Sequence, residues 1–442
     1  MIKMQDYILV KEVIPNKIEQ NSVLNIFTNN VTAYTHGFHK YPAKFIPHIP
    51  KWAIEKYLNG NKSKNILDPF CGSGTTLVEG ILAEHNVIGI DIDPLSALIS
   101  KVKTTIVDIS KLIRVLDWLV RGIKKKKKGG FKPECETIGH WFTKETINKL
   151  SIIRSLINQI PEKFGENKAI KDIQDLLLIC FSSIIRRVSN ADNESQKAYV
   201  SHTKIKTAEE PVSLFLLQLD LFKERITKFS ESANPKLKKQ IICSSSAESL
   251  EAKIKGQIVD LAITSPPYIK AIDYIYNQMV ELFWIGDAFG LQTQTKQNNK
   301  KKEYIGTKHV HKKEFAEYTP FDNLLRVSRL DKKLQEVYMK DKKNGHKHSY
   351  ITFKYFVDME KHFKEIAKYL NPDTHYIMVV GNCSVSNVFL ETADFLIEIA
   401  ERNGFRIVNK WGYLIKNRYM RFDRKGRGGI IEIDWVLDFV KT

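Results

Sequence analysis

The stretch from Asn65 to Asp93 constrains the fold more than any other. Asn65-Ile66-Leu67-Asp68 is a short apolar run that leads into Pro69-Phe70-Cys71-Gly72-Ser73-Gly74. A helix follows, opening at Thr75-Thr76 and carried by Leu77 to Glu84, and then a second apolar run, Asn86 to Ile90, ends in Asp91 and Asp93. Strand, glycine turn, helix and strand in that order make a βαβ unit and commit the chain to an α/β sheet. Glycines in the turn permit positive φ and let a ligand approach the backbone closely. The first helical N–H groups and the positive helix end face the same place. A carboxylate about 20 residues beyond such a turn is placed to hold a ribose hydroxyl. Asp91 is the choice and Asp93 the alternative, and Asp93-Pro94 reads equally well as a helix cap.

A second feature adds chemistry. Ile258 to Ile263 reads as a buried strand closed by Thr264-Ser265-Pro266-Pro267-Tyr268. Two successive prolines fix φ at both positions and remove both N–H donors. The carbonyls there point in set directions beside a hydroxyl and an aromatic ring. Such a corner suits a flat, hydrogen-bonding substrate such as a nucleobase. The alternative is a strand end with Tyr268 in the core.

Taken together, Phe70-Cys71-Gly72-Ser73-Gly74 and Ser265-Pro266-Pro267-Tyr268 resemble the two motifs of the DNA amino-methyltransferases that use S-adenosylmethionine. The Thr-Ser-Pro-Pro-Tyr form resembles that of members acting on cytosine N4, whereas Asp or Asn at position 265 would point to adenine N6. The resemblance implies a doubly wound, mostly parallel, seven-stranded Rossmann-like sheet with the last strand antiparallel. It implies S-adenosylmethionine as cofactor and Ser265, Pro266, Pro267 and Tyr268 as the catalytic loop. For the cofactor it implies Phe70, Gly72, Gly74, Thr75 and Thr264, with Asp68 acting on the ammonium directly or through water. His36 to Pro47 is similar to a family segment at the methionine end of the pocket, which brings in Tyr41 and Lys44. The family's adenine-binding Asp is replaced by serines near Ser245, with Ser246 or Glu248 as substitutes.

The rest of the chain fits this frame. Its 442 residues suit a core with insertions. The divided core is expected at residues 1–105 and 236–442. A helical insertion over 106–235 is a candidate DNA-recognition region, and a basic insertion spans 290–350. The five scattered cysteines form no Cys-x-x-Cys pair, so no metal site or disulfide framework is expected. No apolar run is long enough to cross a bilayer, and Met1 to Gln20 mixes charges and lacks a signal-peptide core, so a cytoplasmic location away from membranes is expected. The formal net charge of +19 points to a polyanion, with a solvated lysine-rich surface as the bland alternative. Lys124 to Lys128 with Gly129-Gly130 reads as a flexible loop. Arg186, Arg187, Lys300, Lys301, Lys312 and Arg418 are the candidate nucleic-acid contacts. The partners implied are double-stranded DNA and a cognate restriction endonuclease. Adenine-N6 or RNA base-amine methylation remains open, as does a non-catalytic nucleic-acid-binding protein on this fold. The oligomeric state is not legible.

Overall fold

The computed structural model describes residues 7–442 apart from 12, 43, 194–197, 202, 204–205, 255, 271 and 417–430. Eleven strands are formed among them: β1 Tyr7–Val10, β2 Val23–Ile26, β3 Asn65–Asp68, β4 Asn86–Asp91, β5 Lys239–Cys243, β6 Val259–Thr264, β7 Leu370–Gly381, β8 Cys383–Val385, β9 Val388–Leu390, β10 Phe405–Leu414 and β11 Ile433–Lys441. Nine of these make one sheet in the order β1-β2-β10-β11-β7-β6-β3-β4-β5, and β8 and β9 form a separate hairpin. β11 runs antiparallel to both neighbours, β7 and β10. The other pairings in the sheet are parallel.

This is the doubly wound α/β architecture, with two strands more than expected. The extra pair, β1 and β2, joins the sheet through two register pairs, Gly412↔Val23 and Tyr413↔Leu24. Each is four residues long, too short to show a period in sequence. They form because Val10, Leu24 and Ile26 bury against the helix His48–Leu58.

The chain winds outward from β3 through β4 to β5, then returns to place β6 on the other side of β3. The strand order therefore reverses between β3 and β6. In an open α/β sheet, the crevice beyond the carboxyl ends of the strands at that point is where ligands bind. The glycine turn follows β3 and the Ser-Pro-Pro-Tyr loop follows β6, so both open onto it.

The helices between β4 and β5 include Ile109–Lys125, Lys144–Asn158, Lys168–Val188 and Pro211–Ser232. They share one continuous apolar core with Leu77, Val78 and Ile81 of the helix Thr75–Leu82 and with Phe283 and Trp284. The lysine run expected as a flexible loop is docked instead. Its helix continues to Lys125, and the Gly129 and Gly130 amides donate to Asn148 Oδ1 (3.4 Å) and Ser155 Oγ (2.9 Å). A Cβ on Gly129 would lie 2.3 Å from the Ser151 backbone, so glycine is required there by close approach. Ser386 and Asn387 adopt positive φ and turn the β8–β9 hairpin, and a short helix, Thr392–Glu401, follows it. No described helix is long and apolar enough to cross a membrane.

Candidate active site

The turn after β3 is shaped by two glycines in the left-handed region, Gly72 (φ +47°) and Gly74 (φ +76°). At Gly72 a Cβ would meet the Tyr41 ring at 3.1 Å, and at Gly74 it would meet Ser100 at 2.9 Å. The helix Pro94–Lys103 holds this loop from behind: Ser100 Oγ donates to Gly72 O (2.7 Å) and Lys103 Nζ to Ser73 O (2.8 Å). Lys103 is fully buried, and burial pushes its ammonium well below its ordinary value.

Asp91 at the end of β4 ties the two halves of the unit together. Its Oδ2 accepts from Gly72 N and its Oδ1 from Asp93 N, both at 2.8 Å. Burial and the neighbouring Asp93 charge push its carboxyl up to about 7, against the pull of those two amides. Asp93, the alternative ribose ligand, is occupied otherwise. Its Oδ1 caps the helix Pro94–Lys103 by accepting from Ser96 N (2.8 Å), and its Oδ2 accepts from the Tyr304 hydroxyl (2.9 Å).

These elements enclose a pocket of about 690 Å³. Tyr41, Lys44, Phe70, Gly72 and Thr75 line it, with Asp91, Asp93 and Ser245. From the β6 side Ser265 and Pro267 line the same pocket, so motifs nearly two hundred residues apart meet across it. Among the described residues the Ser265 hydroxyl has no hydrogen-bond partner. Ser244, Ser245 and Ser246 all face the pocket where the Asp was expected, whereas Glu248 does not. Ser246 Oγ is 3.1 Å from His362 Nδ1, and His362 Nε2 is 2.6 Å from the Tyr376 hydroxyl. Burial lowers His362 to about 3, so it is neutral.

Five expected residues lie outside the lining. Thr264 and Asp68 form a strut beneath it: Thr264 Oγ1 donates to Asp68 Oδ1 (2.6 Å) and accepts from Phe70 N (3.1 Å). Both are fully buried, and burial raises Asp68 to about 6 while hydrogen bonds from Thr264 and the Phe70 amide oppose. The strut fixes the glycine turn to the Ser-Pro-Pro-Tyr loop. Replacing Thr264 by Val keeps the shape and leaves a buried carboxyl short of a donor. It should cost about 1–3 kcal/mol in denaturant unfolding, and an unchanged midpoint would remove the strut from the account. Gly74 also lies outside the lining and serves the turn. Tyr268 stands beside the pocket, its hydroxyl donating to Asp434 Oδ1 (2.6 Å) on β11, while Tyr413 donates to Asp434 Oδ2 (3.1 Å). The remaining loop member, Pro266, is buried behind it.

Three pocket residues were not expected there from the sequence. Tyr274, Tyr304 and Ile305 complete the lining, with Tyr274 stacked between Tyr41 (5.8 Å) and Tyr304 (6.3 Å).

The expected nucleic-acid contacts divide. Arg187 is paired with Glu209 through two bonds of 2.6 and 2.7 Å, and Arg186 donates to Asp192 O within its own loop. Lys300 is paired with Glu303 at 2.7 Å. Both arginines therefore brace the loop in the isolated protein rather than standing clear of it. Lys312 is exposed, Lys301 faces a second cavity, and Arg418 lies outside the described residues. No cluster of metal-ligating side chains is found among the described residues.

The residues present fit S-adenosylmethionine. The glycine turn leaves backbone exposed where a side chain would intrude, Asp91 offers a carboxylate for hydroxyl donors, and the start of the helix Thr75–Leu82 offers amides for a carboxylate. Sheet, switch-point pocket and glycine turn together form a binding site of the kind a methyltransferase using this cofactor needs. A family profile described as DNA methylase (N6_N4_Mtase) matches residues 5–101. The chain is 27% identical over 427 residues to the Type II methyltransferase M.MvaI of Kocuria varians, covering 91% of this chain and 88% of the relative. To the Type II methyltransferase M.BsoBI of Geobacillus stearothermophilus it is 26% identical over 291 residues, or 60% and 55% of the two chains. A shorter match, 44% identical over 85 residues, links it to the Type II methyltransferase M.MjaII of Methanocaldococcus jannaschii, covering 19% and 16%. These matches support an N4/N6 DNA methyltransferase family, whose cofactor is S-adenosylmethionine.

Proposed function

We propose that this enzyme methylates the exocyclic N4 amine of cytosine in duplex DNA, as the modification half of a restriction-modification system. The observation that carries the reading is the Ser265 hydroxyl, without a hydrogen-bond partner among the described residues and set on the wall of the cofactor pocket. The amine is a poor nucleophile because its lone pair is conjugated with the ring. Ser265 Oγ and the Pro266 carbonyl accept its two hydrogens and favour a tetrahedral nitrogen with its lone pair free. Tyr268, anchored by Asp434, stacks on the base. Bound S-adenosylmethionine supplies an electrophilic methyl. The nitrogen loses its proton only after it has gained positive charge, so no strong base is needed. Holding the two reactants in register supplies much of the rate. A base inside the helix cannot reach this corner, so the target nucleotide is flipped out. Asp91 holds the ribose, and Tyr41 and Lys44 lie toward the methionine end.

The type II system is supported by the names of the relatives. The cytosine preference is supported by Ser265 itself, since a hydroxyl stands where adenine-specific relatives of the motif carry Asp or Asn. The test is incubation with methyl-labelled S-adenosylmethionine and mixed-sequence duplex DNA, then digestion to nucleosides and mass spectrometry. N4-methylcytosine is expected. N6-methyladenine would overturn the acceptor, and label found in RNA alone would overturn the DNA substrate.

A further inference from the structure

Behind Tyr274 and Tyr304, which line both spaces, lies a second cavity of about 290 Å³ between the catalytic loop and the basic insertion. Its charged lining is Lys270, Lys301, Lys308, His309 and Asp273. Asp273 is shared by His309 Nε2 (2.6 Å) and Lys308 Nζ (3.4 Å). Among the described residues Lys270 Nζ hydrogen-bonds only to an imidazole nitrogen, His348 Nε2, at 2.7 Å, and Lys301 Nζ stands 5.2 Å over the Tyr276 ring. Asp341 and Lys347 also act on Lys270. Within the lining three ammonium groups face one carboxylate. Burial disfavours the charged forms of Lys270 and Lys301, so the surplus positive charge is held at a cost that an anion would relieve.

The cavity is also firmly built. Lys270 N donates to Gly306 O at 3.0 Å. Lys270 holds φ +56°, unusual for a side chain of its kind, and a Cβ on Gly306 (φ +77°) would lie 2.9 Å from Tyr268 O. The stretches 268–270 and 304–309 are thus locked together directly behind Tyr268.

We infer that this cavity is an anion site for a DNA backbone phosphate next to the nucleotide whose base enters the Ser265 corner. The inference rests on the DNA reading above. Lys270 lies two residues after Tyr268, so a base stacked on that ring carries its own strand's phosphates to this side. The cofactor's carboxylate already has Lys44 and the helix start within its own pocket.

The test uses the full-length protein and duplex DNA, with binding measured across a salt series. Each phosphate neutralised contributes about 0.9 to the slope of log K against log salt. Lys270→Gln with Lys301→Gln should flatten that slope by about 1 and weaken DNA binding about tenfold at moderate salt, with S-adenosylmethionine affinity unchanged. Lys301→Gln alone, whose ammonium donates to Asn298 Oδ1 (3.1 Å) and lies over the Tyr276 ring, repeats the measurement if the double variant does not fold. Single methylphosphonates beside the target nucleotide should weaken wild-type binding at one position and leave the variant indifferent there. An unchanged slope would overturn the site, and so would a loss confined to cofactor affinity. If wild-type protein methylates this DNA while the variants keep their slope, only the phosphate site falls; if it methylates no DNA, both readings fall.

Discussion

Replacing Ser265 by Ala should lower kcat for methyl transfer by about 10²–10³-fold, the scale of losing one preorganised hydrogen bond that strengthens in the transition state. Cofactor affinity should stay within about threefold, because Ser265 is one of many pocket residues and the glycine turn does not lean on it. The large effect follows from geometry. β6 is pinned to β3 through Ile66↔Leu261 and Leu67↔Ala262, and the Thr264–Asp68 strut locks the next residue. Ser265 therefore arrives at the pocket wall on a rigid backbone, and two prolines follow it. A group so fixed costs no reorganisation during reaction. Tyr268→Phe is the companion variant: the ring stays, Asp434 keeps Tyr413, and stacking survives. It should lose far less activity than Ser265→Ala. The readout is single-turnover transfer on saturating DNA, which separates chemistry from binding. Full activity in Ser265→Ala would sink the catalytic assignment.

The parts legible in sequence are those whose chemistry is local. Phe70 to Gly74 needs glycines because Tyr41 and Ser100 crowd the turn, and that need is written in two residues. Ser265 to Pro267 announces itself through paired prolines. What stayed hidden was set by partners far along the chain. Arg187 looked free until Glu209, on the far side of the loop, neutralised it. Thr264 read as a cofactor contact, but its hydroxyl turns inward because Asp68 is buried beneath it and must be satisfied. Tyr304 lies in the basic insertion, far along the chain from the glycine turn. Its hydroxyl is fastened to Asp93, which couples the basic insertion to the cofactor pocket. β1 and β2 were invisible for another reason: their apolar residues are few, and only the helix His48–Leu58 above them gives the burial that makes them strands.

Cofactor binding should tighten as pH rises from 6 to 8, by about tenfold, if Asp91 must be ionised to accept ribose hydroxyls and its carboxyl sits at about 7. The direction is fixed by cause. Burial favours the neutral acid, and Asp93 beside it adds repulsion, so the folded protein holds this proton well above the ordinary carboxylate range. Between that range and about 7 the folded state keeps a proton the unfolded chain has lost. The protein alone therefore loses stability across that window as pH rises, and is flat above it for this group. Bound hydroxyls act the other way, because they satisfy the ionised form. Asp91→Asn should flatten the affinity profile and weaken binding about tenfold at pH 8, since an amide can accept from one hydroxyl but carries no charge. Other perturbed groups line or underlie the same pocket: Asp68 is raised by burial to about 6, Asp93 is raised by burial, and Lys44 is lowered by burial. The cofactor's own amine titrates too, at about 8. All of these persist in the Asn variant, so the difference between the two profiles isolates Asp91. Isothermal titration with S-adenosylmethionine at half-unit pH steps reads both curves. Parallel curves would mean that Asp91 serves the Gly72 and Asp93 amides alone and that the ribose is held elsewhere.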